Sequence, residues 1–453
     1  FNNLSTFRRL IYYIIYIIFI YININMLTKI SHFLVENILK TINEAEIGKL
    51  IYNINNNNTD KLIEHFINEM MLSQTNVDKI NINTSRVISH LHGDNAGFIK
   101  HFLNDNDYLS PEIRHYIKTK KSILIKYTFN LSRNYHIYFV VYEEKLTREI
   151  QNIYNNYVKH ILSMILFLEN YRKNGCKTEK LELYIFMTPF KKMFPNTKSE
   201  IISSENINGG YTIPCQISSQ IFIWRKEEFF KVFIHEMFHS LGIDFAMLNH
   251  LKLNNDIYNI FPIKDTKFNI YEGYTEFWTE LINIVYYVSM LYNDALMIDN
   301  SIKITNFINI FNQLYEIEKV WTYIQCIKIL NHMNLTYKQL ISNNKKNLEK
   351  YKENTNVFAY FICKLIFMYN HNKFIEFSIK NNSNLLLFTN DYNQENNQKK
   401  IENIFLYIKH NYKNKNLIKI YTILSKFLQE NSDIYNNKNV IFKSFRWTSI
   451  EYF

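Results

Sequence analysis

His235, Glu236 and His239 stand in the order His-Glu-x-x-His within Phe233-Ile234-His235-Glu236-Met237-Phe238-His239-Ser240-Leu241-Gly242. On a helix, residues four apart share one face about a turn apart, so both imidazoles can reach a single Zn2+. Glu236, one step round the helix, is too close in sequence to join them comfortably as a ligand. It can reach a water on that ion and take its proton. The division of labour is therefore two metal ligands, His235 and His239, and one general base, Glu236. With 14 His in 453 residues, the pattern arises by accident in such a chain with a probability of roughly 2%, so its context must add to it. Phe233, Ile234, Phe238 and Leu241 surround the histidines with apolar surface on a helix predicted to follow a strand. The plain alternative is a histidine pair satisfied at a helix–helix contact.

A catalytic zinc needs a third protein ligand and one open position. Tyr271-Glu272-Gly273-Tyr274-Thr275-Glu276-Phe277-Trp278-Thr279-Glu280 offers three carboxylates at i, i+4 and i+8. Stacked on one side of an apolar helix, they repel one another unless a cation or donor stands opposite. Glu272 is assigned as the ligand. Glu276 is assigned as the acceptor for the free N–H of a zinc-bound imidazole, which fixes the ring's tautomer; the spacing also permits the reverse order. Glu280 is read as a solvent-facing or structural carboxylate.

These residues need elements to hold them. Leu27 to Ile42, Ala45 to Ile54 and Thr59 to Leu72 carry apolar residues at helical spacing, and His90-Leu91-His92-Gly93-Asp94 reads as a surface loop rather than a metal cluster. Strands are predicted at Ile137 to Tyr142, Leu181 to Met187 and Ile221 to Trp224, with a long helix from Thr147 to Arg172 and an extended Asn208 to Cys215. The motif helix spans Glu227 to Leu241. Beyond it the pattern is helical: Tyr271 to Leu291, Ile302 to Tyr315, Val320 to Met333, Val357 to Asn370 and Ile404 to Phe427. The expected fold class is α+β, a mixed sheet with an active-site helix followed by a mainly α-helical region. Its divisions are a leader (1–25), a helical region (26–130), the sheet with the motif helix (131–248) and a helical region supplying the third ligand (249–453).

Composition sets the outer limits. Only 8 Gly and 5 Pro, with 47% hydrophobic residues in a chain of 453, exclude a collagenous chain, an unfolded acidic tail and a disulfide-stapled mini-protein. The net charge of +11 is scattered and carries no nucleic-acid fingerprint, so nucleic acid is not an expected partner. Cys176, Cys215, Cys326 and Cys363 form neither a CxxC pair nor a framework, which points to a reducing, intracellular compartment. Arg8 and Arg9 precede an apolar run from Leu10 to Ile22, about 13 residues where a spanning helix needs roughly 20. With Met26 the first methionine, residues 1–25 are read as sequence upstream of the true start, and a membrane is a partner only if they are translated.

The His235-Glu236-x-x-His239 motif with a downstream Glu272-Gly273 on a helix resembles the gluzincin branch of zinc metallopeptidases. Tyr271 stands where aminopeptidase-like members have Asn. Residues of about 136–292 also look similar to zincin-like proteins of large DNA viruses, and the Asn- and Ile-rich composition agrees with such a source. Gly242 suits the competing metzincin pattern, but Phe245 occupies its third-ligand position, Asp244 falls one residue early and His250 needs another loop geometry. The resemblance implies one Zn2+ per chain, a peptide or protein substrate and hydrolysis by metal-activated water. It also implies an edge strand that binds the substrate backbone, for which Asn208, Gly209, Gly210 and Tyr211 are chosen, and an oxyanion donor among residues such as Tyr211, Tyr271 and Tyr274. A viral source would place the protein in the host cytoplasm or virion. The alternative is a zincin-derived binding or structural protein that no longer turns over substrate.

Overall fold

The computed structural model describes residues 27–51, 57–82, 86–91, 102–104, 106–261, 263, 268–342, 344–347, 349–431 and 440–453. The expected leader lies outside them. Within them the chain is α+β, with a mixed sheet in the N-terminal half and a mostly helical C-terminal region. The strands are β1 (Arg86–Leu91), β2 (Ser122–Asn130), β3 (Asn134–Val141), β4 (Lys180–Phe186), β5 (Gly210–Thr212) and β6 (Ser218–Ile223), ordered β1-β2-β3-β4-β6-β5. β3, β4 and β6 run parallel, while β1, β2 and β5 lie antiparallel to their neighbours.

Alternation along each strand separates two cores. Tyr135, Ile137, Phe139 and Val141 of β3 face the main helical core, whereas Tyr138 and Val140 join Tyr184, Phe186, Phe222 and Trp224 under Phe102, Leu109, Ile113 and Ile117. The main core is built on α1 (Lys29–Glu44), α2 (Asn57–Asp78), α3 (Arg148–Glu169), α4 (Phe229–Ser240), α5 (Ile270–Ile298), α6 (Ile304–His332) and α7 (Phe358–Met368). The first six residues of α7, Phe358–Cys363, form a wide π turn. α3 carries the crossover from β3 to β4 and starts where Thr147 Oγ1 accepts the Ile150 N–H. α5 is long and apolar enough to cross a membrane, yet residues 272–289 are all buried within the chain. A helix apolar on every side is also what a core centre requires, and α5 packs on α2, α4, α6 and α7.

Several expectations need correction. The boundary at 130/131 falls in the β2–β3 hairpin, and the sheet takes β1 and β2 from the region read as helical. His90 belongs to β1 rather than a loop, while His92, Gly93 and Asp94 lie outside the described residues. Ile302–Tyr315 and Val320–Met333 are one helix, α6, because the polar break between them is internally matched: Lys319 pairs with Glu316 at 2.5 Å. The Ile404–Phe427 segment instead divides into Gln394–Asn411 and Lys415–Glu430, since Asn414 accepts the Asn416 N–H at 2.8 Å and starts a new helix. Cys176 and Cys215, read as unpaired, are joined in a disulfide.

The Glu272-Gly273 pair has a packing reason. A Cβ at Gly273 would stand 2.5 Å from the Ala359 carbonyl oxygen and 3.1 Å from Cys363 Cβ, so the backbones of α5 and α7 touch there. An exposed helical Gly→Ala change stabilises by about 1 kcal/mol through propensity. Here the sign reverses: Gly273→Ala is expected to destabilise the chain by about 1–3 kcal/mol through overpacking, read from the denaturation midpoint. A variant as stable as the parent would show that α7 does not bear on α5.

Candidate metal centre

α4 begins after Glu228, which adopts a left-handed conformation (φ 59°) and turns its carboxylate towards Lys192 and the Thr448 N–H instead of capping the helix. At the other end, the Gly242 N–H donates to His239 O and the Ile243 N–H to Phe238 O, with Gly242 at φ 61°. This is a Schellman ending, and the left-handed position explains the glycine without a third histidine. Its tight reversal brings Asp244 back alongside α4.

His235 Nε2, His239 Nε2 and Glu272 Oε2 converge on one point. The nitrogens are 3.0 Å apart, and the oxygen is 3.1 Å from His235 Nε2 and 3.4 Å from His239 Nε2. A tetrahedral zinc with bonds of about 2.0–2.1 Å has ligand-to-ligand edges of about 3.3–3.4 Å, close to these separations. The other ring nitrogens meet carboxylates: His239 Nδ1 lies 2.5 Å from Asp244 Oδ2, and His235 Nδ1 lies 2.7 Å from Glu276 Oε1. The latter contact is bent away from ideal hydrogen-bond geometry, yet neither atom has another partner. We therefore assign it as charge-assisted.

An ionised carboxylate can only accept, so each Nδ1 carries the proton and each Nε2 presents a lone pair to the focus. Two lone pairs and a carboxylate oxygen repel one another unless protons or a metal ion join them. The donor set thus fits a divalent, nitrogen-accepting metal such as Zn2+.

Titration follows from this crowding. Burial opposes the charged imidazole, but hydrogen bonds that His235 donates to Glu272 and Glu276 raise its pKa, and the Asp244 and Glu272 charges raise that of His239 well above its usual value. Burial also works against ionised Glu272, but His239 and His235 bring it down to about 2. Burial pushes Glu236 up to about 7, against the pull of the two imidazoles.

Glu236 differs from its neighbours. Glu272, Glu276, Asp244 and Glu280 each have a partner, whereas among the described residues no hydrogen bond holds the Glu236 carboxylate. It lies beneath the backbone of β5: a Cβ on Gly210 would be 2.8 Å from Glu236 Oε1 and 2.6 Å from Val232 Cγ1. β5 is the edge of the sheet beside α4. Asn208 and Gly209 precede that strand. Asn208 is tied down, its carbonyl accepting from Arg225 Nε at 2.9 Å and its Oδ1 from Thr355 at 3.1 Å. The Tyr211 ring stacks on Tyr108 with centroids 5.8 Å apart.

Sequence reasoning missed Asp244 as a partner of His239. The signal was a carboxylate two residues beyond a helix-ending glycine. Tyr108, Lys231, Lys364 and Trp447 also escaped notice. Glu280 is wholly buried, so the solvent-facing reading fails and the structural one stands: its Oε2 accepts from Lys364 at 2.7 Å. Tyr274 points away from the centre, where its hydroxyl accepts from Asn382 at 2.8 Å. Tyr271 remains beside it, its ring 5.7 Å from that of His239. Phe245 packs on Tyr274 and Phe388, and His250 on Tyr271. Neither belongs to the convergent group formed by His235, His239 and Glu272.

Because both histidine pKa values are raised in the metal-free chain, zinc must displace protons. Affinity is expected to rise with pH, with protons released as the metal binds. Calorimetry in buffers of different ionisation enthalpy measures this, and pH-independent binding without proton release would contradict the assignment. Comparison with protein-family models, curated proteins and solved structures finds no match to this chain.

Proposed function

We propose that the chain is a zinc-dependent peptide-bond hydrolase with His235, His239 and Glu272 as metal ligands and Glu236 as general base. The observation that carries this reading is the contrast among the buried carboxylates: Glu272, Glu276, Asp244 and Glu280 are each committed to a partner, and among the described residues none hydrogen-bonds the Glu236 carboxylate beside the convergence point. A structural cross-link would need the three ligands, but it would have no use for an uncommitted carboxylate there.

A divalent ion at this focus would supply Lewis acidity, polarising a carbonyl and making a water acidic near neutral pH. The chain's own groups do the rest. Glu236 accepts a proton and passes it to the leaving amine. Asp244 and Glu276 hold the imidazoles in the tautomer that presents Nε2. β5 offers a strand edge that no other described strand pairs, directly above Glu236, and an extended peptide can add to such an edge through its backbone. The antiparallel pairing of β5 with β6, in register Gly210 with Ile223 and Thr212 with Ile221, fixes that edge relative to α4.

Glu236→Gln is expected to keep about one zinc per chain and to lower peptide hydrolysis by about 100- to 10,000-fold, measured with a mixed peptide library and metal analysis. Undiminished turnover would remove Glu236 as the base. Gly210→Ala drives a methyl group against Glu236 and should lower turnover by about tenfold or more through misplacement, with zinc content unchanged. Full activity in that variant would show that Glu236 does not work from beneath β5.

A further inference from the structure

Behind the ligands lies a second tier of buried charge. Lys231, one turn before His235 on α4, hydrogen-bonds Glu276 Oε2, and the Lys364 ammonium on α7 lies 3.7 Å from the same oxygen. The other oxygen, Oε1, faces His235 Nδ1. The carboxylate is thus divided, with both lysines on one oxygen and the imidazole on the other. Lys231 is braced in turn by the Trp447 ring, whose centroid is 4.3 Å from its Nζ, and that ring lies 5.3 Å from the His235 ring. Lys364 is braced by Glu280.

A carboxylate on a two-carbon stem can rotate its oxygens freely unless something holds one of them. Here two ammonium groups on separate helices hold Oε2, which leaves Oε1 only the direction of the ring. We propose that Lys231 and Lys364 are positioning residues of the metal centre. By fixing Glu276 they set the orientation of His235, and through it the affinity for zinc. This inference rests on the zinc reading above.

The competing view is that these lysines only balance buried charge. Lys192 separates the two. It is equally buried, lies over the same Trp447 ring at 3.8 Å and pairs with Glu228 at 2.8 Å, but has no contact with Glu276. A general loss of buried ion pairs would affect both lysines alike, whereas a positioning role would not.

The test measures zinc affinity by chelator competition and unfolding of the metal-free chain by urea. The variants are Lys231→Met, Lys364→Met, Lys192→Met, Glu276→Gln and the double variant Lys231→Met/Glu276→Gln. Lys231→Met is expected to weaken zinc binding by about 10- to 100-fold, the range seen when outer partners of metal ligands are removed. Lys192→Met should lose comparable stability and keep zinc affinity within about threefold. The double variant should bind zinc no more weakly than Glu276→Gln alone, because Lys231 acts only through that carboxylate. Should Lys231→Met fail to fold, the double variant, which removes the ion pair as a unit, and Lys364→Met carry the comparison. Parental zinc affinity in Lys231→Met, an equal loss in Lys192→Met, or additive losses in the double variant would each overturn the proposal. Failure of the unaltered chain to bind zinc would remove the metal reading itself.

Discussion

Two imidazole nitrogens and a carboxylate oxygen, all electron donors, are held within 3.4 Å of one another in a buried setting. In a low-dielectric interior such an arrangement is repulsive until protons or a metal ion occupy it, and the surrounding structure is arranged around that compensation. Asp244 and Glu276 draw the ring protons outward, which sharpens the demand for positive charge at the focus. Lys231 and Lys364 then neutralise Glu276 from behind, while Thr275 and the Ala246 N–H support Asp244. Sign alternates outward from the centre, and each tier has its own partner.

α5 shows how one repeated residue type can serve separate tasks. Glu272, Glu276 and Glu280 share a face at i, i+4 and i+8, yet they face the point of convergence with His235 and His239, an imidazole with two lysines, and Lys364 respectively. Repulsion along the row is relieved because cationic partners arrive from α4 and α7 between successive carboxylates. The π turn in α7 lies at this contact, since it contains Ala359, whose carbonyl approaches Gly273, the residue after the first glutamate. Wide turns of this kind often accompany functional positions.

Much of the centre was legible in the chain because its logic is local. The helix carrying His235, Glu236 and His239, and the glutamates of α5, follow from spacing alone. Asp244 was harder to find, because its approach depends on the reversal at Gly242 and not on helical periodicity. Lys231 lay in plain view on the motif helix, but its meaning depends on Glu276 and Trp447, which are distant in sequence. In the fold, β3, β4, β6, α3 and α4 announced themselves by strong apolar patterning. β1 and β2 did not: β1 has the exposed Val87 and Ile88 at a sheet edge, and β2 alternates with polar residues that a helical reading absorbs. α6 was divided on paper by a run of charge, and only tertiary pairing shows that run to be buried.

Residues 444–450 are all buried, and they thread between elements made much earlier. Glu318 takes the backbone N–H groups of Ser449 and Ile450, Glu228 takes that of Thr448, and Asn283 donates to the Ile450 carbonyl. Trp447 thereby reaches the back of the His235 ring. A polypeptide leaves the ribosome N-terminus first, so the sheet, α4 and α5 emerge well before the segment that walls in the first histidine. Completion of the centre is therefore a late step in biosynthesis, and a nascent chain halted short of that tryptophan would carry the motif without its finished surroundings.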